Sequence, residues 1–171
     1  SSAGGRPARP ARVGSRGFVR HAPLCGSGGG RTIGSVTLVD QPLLLGPYTF
    51  RSRLFLGTGK YPSMESMVEA LEVSGTQCVT VAVRRMQTGV PDGKTLLDYL
   101  PRDRYVLLPN TAGCFDAEHA IRTARLGREL GIGDLVKLEV LGDPQTLLPD
   151  PVGTLEAAKV LVAEGFVVLC Y

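Results

Sequence analysis

The segment LVKLEVLGDPQTLLPDPVGTLEAAKVLVAEGFVVLCY, residues 135–171, holds one complete strand–helix–strand unit. LVKLEVLG (135–142) is a nearly continuous apolar run, LEAAKVLVAEG (155–165) has helical composition closed by a glycine, and FVVLCY (166–171) is a second β-rich run. Two apolar strands separated by a helix are the signature of a parallel pair whose two faces are both covered.

The same grammar extends toward the N-terminus. AEHAIRTARLGREL (117–130) reads as a helix closed by Gly131, YVLLPNTAG (105–113) as a strand with a polar exit, and CVTVAVRR (78–85) as another strand. TLLDYL (95–100) lies in the connection between those two strands. A helix is expected near 63–73, opened by Ser63 and closed by Ser74-Gly75, with Met64, Met67, Val68 and Leu71 on one face as core. Before it come a strand near 53–57 and a small strand pair broken at Gly46-Pro47.

Five strands at roughly thirty residues per unit leave two parallel architectures, an open doubly wound sheet and a (β/α)8 TIM barrel. Gly57-Thr58-Gly59 runs into Lys60-Tyr61-Pro62 without the third glycine of a dinucleotide turn. Polar groups after several different strands favour the barrel, whose strand ends converge on one mouth. The expected fold is therefore an α/β barrel truncated after about five strands, because FVVLCY has no helix after it and a barrel usually needs about 250 residues.

Residues 1–31 read differently. They contain eight glycines, three prolines and six arginines without one acid, too little apolar material to offset the entropy of ordering. The expected organisation is a disordered basic leader over 1–31 and one barrel domain over 32–171. The overall charge of +3 then divides unevenly, because residues 32–171 hold 13 basic and 16 acidic groups, a net charge of −3. A folded basic face for nucleic acid is not expected. Neither is a membrane span, since no apolar run approaches the required length.

The four cysteines, at 25, 78, 114 and 170, lack metal-ligand spacing, and two lie in apolar stretches as small core groups. With histidine only at His21 and His119, neither a zinc centre nor a Ser-His-acid triad has enough material. No metal and no cofactor are expected. Cys114 follows a glycine near the presumed mouth but has no base assigned to it.

Chemistry falls to the lysines, of which there are four: 60, 94, 137 and 159. Lys137 stands inside LVKLEV, whereas Lys94 lies in a turn and Lys159 on a helix with polar neighbours. On a strand, Lys137 and Glu139 share a face with Cβ atoms about 7 Å apart. Desolvation favours a neutral amine, which attacks a carbonyl to form an imine, while a neighbouring carboxylate favours the ammonium and can move protons. The competing reading is a Lys-Glu ion pair lining the sheet. Lys60, Arg84, Asn110 and Thr111 follow other strands and are candidates for binding a polar or anionic substrate, or else for local caps and salt bridges.

The strings SRLFLGTGKY (52–61), TVAVRR (80–85), LLPNTAGC (107–114), LVKLEVLGDPQTLLPDP (135–151) and LEAAKVLVAEGFVVLCY (155–171), in this order and spacing, closely resemble bacterial and plastid thiazole synthase. That enzyme builds the thiazole phosphate half of thiamine. The resemblance runs from near residue 35 to Tyr171 and implies a (β/α)8 barrel in the cytoplasm. It implies that Lys137 forms an imine with the ketone of 1-deoxy-D-xylulose 5-phosphate and that Glu139 is the acid/base of the following isomerisation. It further implies sulfur delivery by the thiocarboxylate of a ubiquitin-like sulfur carrier protein, dehydroglycine from a separate enzyme, and a homo-oligomer at full length. A later acidic residue and the loops that hold the substrate phosphate would fall beyond Tyr171, so activity of these 171 residues alone is an open expectation. Another Schiff-base aldolase or isomerase of sugar phosphates, or an inactive interaction fragment, remains the alternative.

Overall fold

The computed structural model describes residues 41–85 and 93–171. The expected leader lies outside the described residues. Residues 42–171 form one compact unit.

The chain enters through an antiparallel hairpin, β1 (Leu43–Leu45) and β2 (Tyr48–Phe50), joined by the two-residue turn Gly46-Pro47. Gly46 has φ +56, and a Cβ there would meet Val167 Cγ2 at 2.7 Å, so both backbone and packing call for glycine. β3 (Phe55–Gly57), α1 (Met64–Ser74) and β4 (Cys78–Ala82) follow. Ser63 caps α1 by accepting from the Ser66 amide, and Gly75 ends it in the left-handed region. β5 (Val106–Asn110), α2 (Ala117–Glu129), β6 (Leu135–Leu138), α3 (Pro151–Ala163) and β7 (Val167–Cys170) complete the order.

All five main strands are parallel and neighbour one another in chain order, β3-β4-β5-β6-β7. A sequential order has no switch point, which sets it apart from the doubly wound arrangement and matches the wall of a (β/α) barrel. Strand alternation then sorts the side chains. Val79, Val81 and Leu107 pack with Met67 and Leu71 of α1, while Val136, Leu138 and Val140 pack with Ala120 and Ala124 of α2 and Ala157 and Leu161 of α3. These residues all project to one side, so the three helices cover one face.

The opposite face is closed at its N-terminal end by the hairpin. Phe50 is buried there with Cys78, Leu108 and Leu135, flanked by Val106 and Val167. Leucine-sized side chains removed from water at these positions contribute roughly 1.5–3 kcal/mol each.

Several boundaries differ from the sequence expectation. α3 begins four residues before Leu155, because the Asp150 carboxylate accepts from the Val152 amide and Pro151 supplies a helical φ at the first position. β6 stops at Leu138 rather than 142, since Leu141 bridges Pro149 and Val140 O accepts from the Asp150 amide, turning the chain back on itself. β4 gives way after Ala82 to a 3-10 turn over Val83–Arg85, which takes both arginines out of strand alternation. Between β4 and β5 the described residues hold a short 3-10 helix, Leu96–Tyr99, whose Leu96 joins the core beside Leu100 and Leu107.

Candidate active site at the C-terminal edge of the sheet

Ladder register places Ala82 beside Asn110, Asn110 beside Lys137, and Lys137 beside Leu169. This row crosses the face away from the helices, at the end where parallel strands finish. It therefore lies where barrel enzymes carry their chemistry. Two residues down β6, Leu135 faces the same way but belongs to the hairpin-covered apolar end.

Lys137 Nζ lies 3.1 Å from Glu139 Oε1, with the lysine side chain 33% and the glutamate side chain 12% exposed. The pair is sheltered but reachable, the condition for proton exchange with a bound molecule. Tyr171 lines one side, its ring centroid 5.3 Å from Lys137 Nζ, and its amide donates to Leu138 O.

Glu139 stands one residue beyond β6, and its backbone is held from across the ladder. The buried Thr111 hydroxyl accepts from the Glu139 amide and donates to the Glu139 carbonyl, both at 2.8 Å. The Thr111 amide donates to Lys137 O at 3.2 Å. Asn110, on the same row as Lys137, accepts from the Ala112 amide through Oδ1 at 3.3 Å.

The two other predicted binding residues sit farther along the same edge. Arg84 lies in the turn after β4 and donates through Nη2 to Gly113 O at 2.9 Å, tying the exit of β4 to the loop after β5. Gly113 has φ +78, and a Cβ there would lie 3.0 Å from Arg84 Nη1. Lys60 is exposed after β3, with a positive φ of 68 that carries the chain out of the Gly-Thr-Gly turn. Thr58 anchors that turn by donating to Thr80 O at 3.2 Å.

The structure thus brings together Asn110, Thr111, Lys137 and Glu139, and leaves Lys60 and Arg84 on the surrounding rim. Lys159 is exposed on α3, and Lys94 is exposed with its amine 5.3 Å over the Tyr99 ring. Cys114 is buried, its Sγ 3.5 Å from Thr123 Oγ1, and Cys78 is buried at the apolar end, where desolvation pushes its thiol up to about 12. His119 is exposed at the start of α2 and pairs with Asp116, whose carboxyl is held below its ordinary value first by the His119 amide and then by the His119 ring. No group of three or more His, Cys, Asp or Glu able to hold a metal occurs among the described residues. Nor is any helix among them long and apolar enough to cross a membrane.

Sequence spacing did not reveal the part played by Thr111 or the side wall made by Tyr171. Both depend on which strands neighbour β6, information that a one-dimensional pattern lacks.

Comparison with known proteins gives the family. The family model for the thiazole biosynthesis protein ThiG matches residues 44–171. The chain belongs to the ThiG family. Among its relatives, the thiazole synthase of Rhodopirellula baltica is 55% identical over 140 residues, covering 78% of this chain and 49% of the relative. That of Pseudomonas savastanoi pv. phaseolicola is 57% identical over 134 residues, covering 77% and 51%. The chain spans about half the length of the curated relatives it matches. Among solved structures, the BexX/CysO complex of Amycolatopsis orientalis matches with a TM-score of 0.61 and 32% identity, over 77% of this chain and 54% of that one.

Proposed function

We propose that this ThiG-family chain carries the imine-forming half of a thiazole synthase site, with Lys137 as nucleophile and Glu139 as acid/base. The observation that supports this most directly is the 3.1 Å Lys137–Glu139 pair at the C-terminal edge of a parallel sheet. The ketone of 1-deoxy-D-xylulose 5-phosphate is the electrophile in this reading.

Attack requires the neutral amine, and Glu139 is placed to take the ammonium proton. The amine then forms a C–N bond to the ketone carbon, an amine proton passes to the former carbonyl oxygen, and protonated Glu139 returns its proton to that oxygen, so that water leaves, the iminium forms and Glu139 is again a carboxylate. Glu139 next removes a proton from the carbon beside the iminium, giving the enamine that shifts the carbonyl along the sugar. The remaining ring atoms come from dehydroglycine, made by a separate enzyme, and from the thiocarboxylate of a ubiquitin-like sulfur carrier. The neighbouring BexX structure, solved with a second protein, CysO, is a precedent for a protein partner on this fold.

Asn110 orients a substrate hydroxyl in this scheme, and Lys60 and Arg84 supply positive charge at the rim that draws in an anionic substrate. The strand order supports closure into a (β/α)8 barrel at full length. In this reading the full-length protein is a homo-oligomer in the cytoplasm.

Borohydride reduction in the presence of 1-deoxy-D-xylulose 5-phosphate, followed by peptide mass mapping, tests the proposal. The Rhodopirellula baltica enzyme serves as the positive control. A reduced adduct on the Lys137 peptide, lost in Lys137→Arg, is expected. An adduct on Lys60, Lys94 or Lys159 instead, or none under conditions that label the control, would overturn it.

A further inference from the structure

We infer that Thr111 is the positioning residue of the Lys137–Glu139 pair, a hydroxyl clamp that takes the place of the next β5–β6 ladder rung. The inference rests on the reading of that pair as the reactive one. It assigns Thr111 a role other than substrate contact.

The case starts from where the ladder ends. β5 finishes at Asn110 and β6 at Leu138, with Asn110 beside Lys137 as their register pair. Glu139 is the first residue past β6, and the chain turns away at Val140–Leu141 to meet Asp150 and Pro149. An ordinary strand exit at this point would leave the Glu139 peptide groups to water or to a flexible loop. Instead, one side chain binds both of them. The Thr111 hydroxyl receives the Glu139 N–H at 2.8 Å and gives its proton to the Glu139 carbonyl at 2.8 Å, while its own amide donates to Lys137 O at 3.2 Å.

Three hydrogen bonds from one residue thus span 137–139, the segment that carries both ionisable groups. Thr111 is wholly buried and Glu139 nearly so, so water is poorly placed to substitute for a lost bond. With donor and acceptor both directed at the Glu139 backbone, the hydroxyl has no proton left to give a substrate. Threonine suits the task because its branched Cβ restricts χ1, holding the oxygen in one place. Fixing the Glu139 backbone fixes where its carboxylate starts relative to Lys137 Nζ. A displacement of about 1 Å at such a pair costs up to about 100-fold in rate.

Thr111→Val keeps the shape and removes the hydroxyl, and Thr111→Ser keeps the hydroxyl with a smaller side chain. Competitive acetylation with acetic anhydride, read by peptide mass mapping, follows the reactivity of the Lys137 amine, with exposed Lys159 as internal reference. Thr111→Val is expected to change the Lys137 acetylation rate about threefold or more relative to wild type, leaving Lys159 unchanged, and Thr111→Ser to recover the wild-type rate. Equal Lys137 rates in Thr111→Val and wild type would overturn the inference, as would an equal change in Thr111→Ser. If Thr111→Val does not fold by circular dichroism, amide exchange of the wild-type protein decides. Protection of the Glu139 amide at least equal to that of Thr111 is expected, and free-peptide exchange would overturn the clamp. None of these measurements needs the ketose, so failure of borohydride trapping in wild type would count against the proposed reaction alone.

Discussion

The two ends of one sheet face make a contrast within the same strands. At the N-terminal end, Phe50 of the hairpin packs on Cys78, Leu108 and Leu135 with the neighbouring Val106 and Val167. At the C-terminal end, the same β5 and β6 present Asn110 and Lys137, with Glu139 just beyond. Alternation decides which face a residue takes, but height along the strand decides whether it meets the hydrophobic plug or the rim. One residue, Val136, separates Leu135 in the plug from Lys137 in the site.

The sharpest way to break the contrast is to move the charge down the strand. Leu135→Lys places an ammonium among apolar neighbours without a carboxylate, and a loss of about 3–5 kcal/mol is expected in urea unfolding. Unchanged stability would mean that the hairpin does not exclude water from that end. Phe50→Ala removes the plug from above and is expected to cost about 3–4 kcal/mol, whereas Lys137→Met should abolish the borohydride adduct while keeping the circular dichroism spectrum.

Cys78 reports the dryness of the apolar end in another way. Burial raises its thiol to about 12 from an ordinary value of 9.0, so the unfolded chain loses this proton first as pH rises. Stability is expected to be unaffected by this group below pH 9 and to fall as pH rises from 9 toward 12, less steeply in Cys78→Ala. Identical alkaline melting curves for the two proteins would remove Cys78 from the plug. At pH 8, iodoacetamide should mark exposed Cys170 well before Cys78 or Cys114.

Smaller effects test the edges of the comparison. Gly46→Ala pushes a methyl toward Val167 at the hairpin turn and adopts an unfavourable φ, for an expected loss of about 1–2 kcal/mol. Asp150→Ala removes the α3 cap behind the site, at about 1 kcal/mol. A thermal melt of each variant measures both, and an unchanged midpoint for Gly46→Ala would show the turn to be slack.

Much of the fold was legible because apolar strands and capped helices announce themselves locally. Ser63 and Gly75 bounded α1 within a residue of the expectation, since cap and left-handed terminator act on the adjacent backbone. α3 starts four residues ahead of the helical composition at 155–165, because an acceptor followed by proline, Asp150-Pro151, is itself a helix start. The candidate site was legible in Lys137 and Glu139 through period-two spacing. Their actual 3.1 Å approach came about differently, since Glu139 had already left the strand and was held by Thr111.

The sequence by itself determined the parallel α/β class, the one lysine set in an apolar strand, and the kinship carried by KLEV and its companion strings. Those are properties of neighbours along the chain, where alternation, capping and charge act over a few residues. The tertiary structure alone decided which end of the sheet face is dry, that Arg84 spans to Gly113, and that a threonine 28 residues away fixes the Glu139 backbone. These depend on strand order and register, because hydrogen bonds and packing act through space between segments whose separation in sequence says nothing of their distance.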